Sequence, residues 1–207
     1  MLRIWGRISS INVRKAVLAA QLLDIPFERI DAGAAFGVVQ TPEYKARNPN
    51  SLVPLLEEDD GFTLWESNVI VRYLCAKHAP GRLYPTELEA RFDAERWMDW
   101  QQTTLNPAGR DAFVQLIRVA ADKRDAALIE RSVAATEPLL AMLDEHLSRR
   151  AFMAGDQLTM ADLPIACEIH RWRGLPLQHP ARPHLQRWYD TMLDLPAARG
   201  VLDLALS

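Results

Sequence analysis

The sequence predicts an α/β domain followed by an all-helical one, and three observations carry that reading. Up to about residue 80, short β-prone runs alternate with helical patterns, as in an α/β unit. Pro80, Gly81 and Pro85 then interrupt the chain within a few residues. From Leu88 onward apolar residues recur at helical spacing, with hardly a strand-like run among them. The expected division is residues 1–79, a linker over 80–87, and a helical part over 88–207.

Leu2–Trp5 (LRIW) is the first strand. Val13, Ala16, Val17, Ala20 and Leu23 fall at helical spacing, so a helix begins near Asn12. Pro26 ends it, and Phe27–Asp31 reads as the second strand. Thr41-Pro42-Glu43 is a helix start with proline in the first position. VPLLEE and FTLWE alternate around Asp59-Asp60-Gly61, a hairpin signal, and Ser67 reads as the cap of the amphipathic helix NVIVRYLCAKH. The order is β-α-β-α-β-β-α.

Beyond the linker, ARFDAERWMDWQQ sets Phe92, Trp97 and Trp100 in helical register, with Pro107 as a kink. AALIERSVAATEPLLAMLDEHL is a long helix that Pro138 must bend or interrupt. Thr159 and Asp162 have capping-box spacing, with Asp in the place of Glu. Pro183 and Pro196 open two short helices, PHLQRWYDTML and PAARGVLDLAL.

Composition narrows the function. The 207 residues can bury a proper core. Lys and Arg (24) are outnumbered by Asp and Glu (27), which argues against nucleic acid as a partner. Cys75 and Cys167 lie far apart in helical contexts, fitting buried thiols in a reducing compartment rather than a disulfide framework. Arg3 and Arg7 interrupt the first apolar run, which therefore does not read as a signal peptide, and no uncharged run approaches the roughly 18 residues that span a bilayer. The expectation is a cytoplasmic protein with no membrane segment. The five histidines form no pair at ligand spacing on one helix, so no metal is expected.

Three stretches can carry chemistry. Ser9, Ser10 and Asn12 precede a helix, where a hydroxyl can cap the orphan N–H groups or act on a ligand. Val53-Pro54 enters a strand; a trans proline is the commoner case, whereas a cis bond would leave the Val53 N–H and C=O facing outward, able to pair with an extended peptide. Glu66 and Ser67 stand at a helix start, which suits a carboxylate, while Glu66 can hold an ammonium; a capped helix with a solvated Glu is the plainer reading.

Taken together, these stretches resemble the cytosolic glutathione transferases over both domains. The matching pieces are SSINVRK, NPNSLVPLLEEDDGFTLWESNVIVRYL and AGDQLTMADL. The resemblance implies a thioredoxin-like first domain, glutathione as co-substrate, and conjugation of its thiolate to small hydrophobic electrophiles. The spacing is similar to that of the serine-dependent classes, theta, phi and related bacterial kinds. It implies Ser10 as the hydroxyl donating to sulfur and Asn12 as a second polar residue. It further implies Val53 pairing with the cysteinyl unit beside a cis Pro54, Ser67 on the γ-glutamyl carboxylate, Glu66 on its ammonium, and Gln40 near the glycyl end.

Two positions depart from the pattern. Leu52 stands where many relatives carry Gln or Lys, and Val39 stands where some carry a polar or basic residue. Two other readings stay open: Leu52 admits a non-catalytic binding protein that keeps the fold, and Ser10 with Asn12 is similar to the site of some bacterial relatives that resemble glutathione-dependent disulfide reductases or peroxidases. The electrophile pocket is expected between the domains, with Ile11, Arg110 and Phe113 among its lining; as a loop contact, a solvated Arg and a core Phe they have plainer readings as well. The resemblance implies a homodimer.

Overall fold

The computed structural model describes residues 1–207. Strands β1 (Leu2–Trp5), β2 (Phe27–Ile30), β3 (Leu55–Glu57) and β4 (Thr63–Trp65) form one sheet in the order β2-β1-β3-β4. β1 and β2 run parallel, so the chain must cross back over the sheet between them, and helix α1 (Ile11–Leu22) makes that crossing. β3 lies antiparallel to β1, and β4 to β3. The turn between β3 and β4 closes with the Gly61 N–H on the Glu58 carbonyl, and Gly61 takes φ 89, where a side chain would be strained.

The register divides the apolar residues between the two faces of the sheet. Ile4 pairs with Leu56, and both enter the main core beneath α1 and α3 (Ser67–His78). Trp5 pairs with Leu55, and both turn the other way, against Tyr44 of α2 (Pro42–Arg47). This is the expected thioredoxin-like α/β arrangement.

The helical part contains α4 (Leu88–Trp100), α5 (Asn106–Phe113), α6 (Ala126–Leu147), α7 (Asp162–Arg173) and α8 (Pro183–Leu193). α4 runs into α5 through a π-helical turn at Gln101–Leu105, and a second such turn follows at Val114–Arg118. Pro107 accounts for the first: it has no N–H to give a regular turn, and its ring would meet a carbonyl four residues back, so the wider turn accommodates it. Pro138 acts differently, since α6 continues through it without interruption. The last helix expected from sequence does not form. Only Pro196–Ala198 makes a single 3-10 turn, and Gly200 at φ 70 redirects the chain.

α7 is the central helix, with ten of its twelve residues buried, so its polar members need partners. Asp162 accepts the Thr159 N–H, the carboxylate half of the expected box, and also the Met153 N–H and the Trp188 indole, each at 2.9 Å; the Thr159 hydroxyl accepts the Ala161 N–H instead of that of Asp162. Burial outweighs these donors and pushes its carboxyl up to about 6. Trp188 and Trp172 are buried, whereas Trp100 is half-buried, edge-on to Trp97 at 5.4 Å. Phe92 faces solvent. No helix is long and apolar enough to cross a membrane.

A buried polar chain joins the two parts where α1 packs on α7. The Lys15 ammonium donates to Gln101 Oε1 at 2.8 Å and Gln102 Oε1 at 3.0 Å. Gln101 donates to Glu168 Oε2 at 2.8 Å, and Glu168 pairs with Arg171, which reaches Asn106 Oδ1 at 3.0 Å. Burial drives Lys15 down to about 8, against the attraction of Glu168.

Candidate functional site

β1 is followed by Gly6, where the backbone has φ 150 and a side chain would collide with Val13 Cγ2 at 2.4 Å. This close approach sets the start of α1 beside the loop that carries Val53, whose Cβ would lie 3.1 Å away. Between that loop and the helical part opens a cavity of about 310 Å³. Ser9, Ser10, Ile11 and Asn12 form one wall with Leu52 and Val53, and Asn106, Arg110, Phe113 and Val114 stand across from them. Leu206, near the C-terminus, also lines it.

Ser10 is the residue at which α1 starts. Its carbonyl accepts the Val13 and Arg14 N–H groups at 3.0 Å, while its hydroxyl makes no capping bond. The hydroxyl is therefore available on the cavity wall, beside the positive end of the helix. Asn12, in the first turn of α1, accepts a hydrogen bond from the Ser67 hydroxyl at 3.2 Å.

The Val53–Pro54 bond is cis. The loop before it is anchored by the Leu52 carbonyl, which accepts the Tyr44 hydroxyl at 2.7 Å and the Asn48 amide at 2.8 Å. The Leu52 side chain is 66% exposed at the cavity wall and offers no polar group.

Ser67 is not the cap that its sequence position suggests. It is the first residue of α3 and is buried, and Glu66 precedes the helix with φ 74 and ψ 108. A left-handed backbone at a residue with a side chain costs of order 1–3 kcal/mol and persists where the surroundings hold it. Gln40 is exposed and lies off the cavity, as do Pro54, Glu66 and Ser67, whereas Ile11, Arg110 and Phe113 line it. Sequence reasoning singled out neither Arg7 nor Arg118. Both line the cavity, but they belong to no motif and stand 111 positions apart in the chain.

Cys167 and His170 also border the cavity. Burial pushes the Cys167 thiol up to about 12, so it is not a nucleophile near neutral pH. His170 is tied to the Tyr189 hydroxyl at 2.9 Å and the Leu204 carbonyl at 2.8 Å, and burial lowers its pKa.

Two family models match: "Glutathione S-transferase, N-terminal domain" over residues 9–77 and "Glutathione S-transferase, C-terminal domain" over 102–196. The chain is 39% identical to glutathione S-transferase GstB of Escherichia coli over 208 aligned residues, which cover all of both chains. It is 28% identical to glutathione S-transferase 4 of Zea mays, over 96% of this chain and 91% of the other. Among solved structures it is similar to a theta class glutathione S-transferase of Xanthomonas axonopodis pv. citri with glutathione bound. There the TM-score is 0.95 at 38% identity, over 100% of this chain and 99% of that one.

Proposed function

The chain belongs to the glutathione S-transferase family, and on that premise we propose that the cavity beside Ser10 joins the sulfur of glutathione to a small electrophile. The observation that carries the reading is the Ser10 hydroxyl, free of any capping bond, on the cavity wall at the start of α1. A hydroxyl donating to sulfur, with the helix end behind it, stabilises the thiolate over the thiol. The thiolate then attacks the electrophilic carbon, the C–S bond forms, and the leaving group departs with its electron pair. The thiol proton passes to solvent.

The other roles follow the extended path of the tripeptide. Val53 pairs through its main chain with the cysteinyl unit, supported by the cis Pro54 and by the anchored Leu52 carbonyl. Ser67 and the main-chain N–H groups at the start of α3 take the γ-glutamyl carboxylate, and Glu66 takes the ammonium. Asn12 orients Ser67 and supports the sulfur site. Gln40 is left at the periphery, and Leu52 covers the glycyl end without a hydrogen bond. The apolar body of the electrophile lies against Ile11 and Phe113, with Arg110 beside it.

The functional unit is a homodimer. Trp65, Val69, Leu88 and Phe92 are between 38% and 64% exposed. They lie on neighbouring elements, because α3 and α4 are tied by the Asn68 amide on the Met98 carbonyl at 2.7 Å. An apolar face of this kind favours a partner surface over water. Two buried free cysteines support a cytoplasmic setting.

Titration calorimetry with glutathione, followed by a conjugation assay with an aromatic halide, tests the reading. Binding and turnover are expected in the wild type. No binding at millimolar glutathione overturns it.

A further inference from the structure

The charge on the cavity wall is one-sided. Five arginines line it, Arg7, Arg14, Arg110, Arg118 and Arg171, and no Asp or Glu does. The chain as a whole carries a formal charge of −3, so this concentration runs against the overall balance. Two of the five are already committed. Arg14 donates to the carbonyls of Val201, Leu204 and Ala205, fastening the C-terminal segment, and Arg171 pairs with Glu168.

The other three are not. Elsewhere arginines of this chain meet carboxylates, as Arg47 meets Glu57, Arg72 meets Asp99 and Arg182 meets Glu137. Arg7, Arg110 and Arg118 have no acidic partner and donate no side-chain hydrogen bond. They converge from both sides of the cleft. Arg7 lies beside Gly33 and Val53 in the first domain, its Nη1 3.0 Å from where a Gly33 side chain would begin. Arg118 stands 4.8 Å from the centre of the Phe113 ring, and Arg171 lies 5.3 Å from the same ring. The groups sense one another: burial first, then the charges of Arg7, Arg171 and Arg110, lower the Arg118 pKa.

Arg110 and Arg118 are exposed at the cavity mouth and Arg7 is half-buried; guanidiniums that line one cavity without counter-charges can receive an anion, and their planar donors match a carboxylate. Resting on the proposed glutathione conjugation, we infer that the electrophile carries a carboxylate or similar oxyanion, held by Arg110 and Arg118 with Arg7 across the cleft. Its apolar body lies on Phe113, and its reacting carbon faces the sulfur beside Ser10. The anionic group takes no part in bond making. It orients the molecule and raises its local concentration. Glutathione itself brings a second source of carboxylate, its glycyl end, to which the Leu52 side chain offers no donor. That source is the competing outcome of the test.

The test uses two aromatic halides of the same shape, 4-chloro-3-nitrobenzoate and 4-chloro-3-nitrobenzamide, with glutathione in excess. In each, the thiolate displaces chloride, and each enzymatic rate is taken relative to the uncatalysed rate. The wild type is expected to accelerate the benzoate more than the amide, by about tenfold or more in kcat/KM, and less so at high salt. Arg118→Gln and Arg110→Gln are expected to remove most of that preference, and Arg118→Lys to restore part of it, with the KM for glutathione changing less than about twofold. Equal acceleration of the two halides overturns the inference and leaves the conjugation reading intact. So does a loss in the variants that falls on the KM for glutathione and not on the halide, which assigns the arginines to the glycyl carboxylate. Failure of wild type to bind glutathione overturns both.

Discussion

The Ser67 hydroxyl donates to Asn12 Oδ1 at 3.2 Å, tying the first turn of α3 to the first turn of α1. Two helix N-termini are thereby held at a set distance, one beside the cavity with Ser10 and one under the residue proposed for the γ-glutamyl carboxylate. The link gives the two polar residues of α1 separable tasks.

Ser10→Ala removes the donor to sulfur and leaves the tie intact. The expected outcome is a fall in kcat of about a hundredfold, the order seen when one donor to a developing anion is lost, with a raised thiol pKa for bound glutathione. Ultraviolet absorbance of the thiolate, titrated against pH in the complex, checks the shift. Asn12→Ala instead frees the Ser67 hydroxyl, so the larger effect should fall on the KM for glutathione. Wild-type turnover in Ser10→Ala overturns the assignment, and loss confined to Asn12→Ala with a mixed disulfide as substrate favours the disulfide-reductase alternative.

Lys15 makes stability depend on pH in a stated direction. Folded Lys15 releases its proton near 8, and the unfolded residue does so at its ordinary 10.5. Between those values the unfolded chain binds more protons, so this residue's contribution rises with pH, by about 3 kcal/mol in all. Ionising tyrosines and thiols act over the same range, so the measurement is a difference. Denaturant unfolding of the wild type and of Lys15→Met, repeated from pH 7.5 to 10.5, should show the gap moving steadily in favour of the wild type. A constant gap refutes the account.

Asp162 holds three donors from three segments: Met153, Thr159 and Trp188. Asp162→Ala leaves all three unpaired in the core, at a cost of about 1–3 kcal/mol each. We expect the unfolding free energy to fall by at least about 3 kcal/mol, with Asp162→Asn between the variant and the wild type because its oxygen still accepts. Chemical denaturation followed by tryptophan fluorescence would report this, and a loss below about 1 kcal/mol would contradict it.

Val69→Glu with Phe92→Glu places charge on the exposed face formed by α3 and α4. Light scattering coupled to gel filtration should show a dimer for wild type and a monomer for the double variant, with an unchanged far-ultraviolet circular dichroism spectrum. A monomeric wild type is incompatible with the proposed assembly.

Local signals and their failures have distinct physical causes. The thioredoxin-like order was legible because Ile4, Leu56 and the apolar positions of α1 follow strict periods, which strands and helices must obey to bury one face. The turn at Gly61 and the carboxylate half of the box at Asp162 were legible because each is made by residues at most three apart. Ser67 misled as a cap because its hydroxyl is used on Asn12, 55 residues away, and Glu66 adopts a backbone that propensity disfavours. The helix expected after Pro196 depended on apolar spacing that Gly200 defeats.

The sequence by itself determined most of the strands and helices and where the chain changes from α/β to all-α, since these rest on neighbours along the chain, and it singled out the short motifs proposed for glutathione. Tertiary structure alone decided the character of the pocket. Arg7, Arg110 and Arg118 carry no signal at their own positions, and only folding sets them around one cavity with no acidic residue on its wall. Packing of α1 against α7 also decided that Lys15 is buried, because the partners that hold it, Gln101 and Gln102, lie beyond the linker. Charge and burial at a site between domains are set by distances in space, and those are fixed only when both parts have folded and packed.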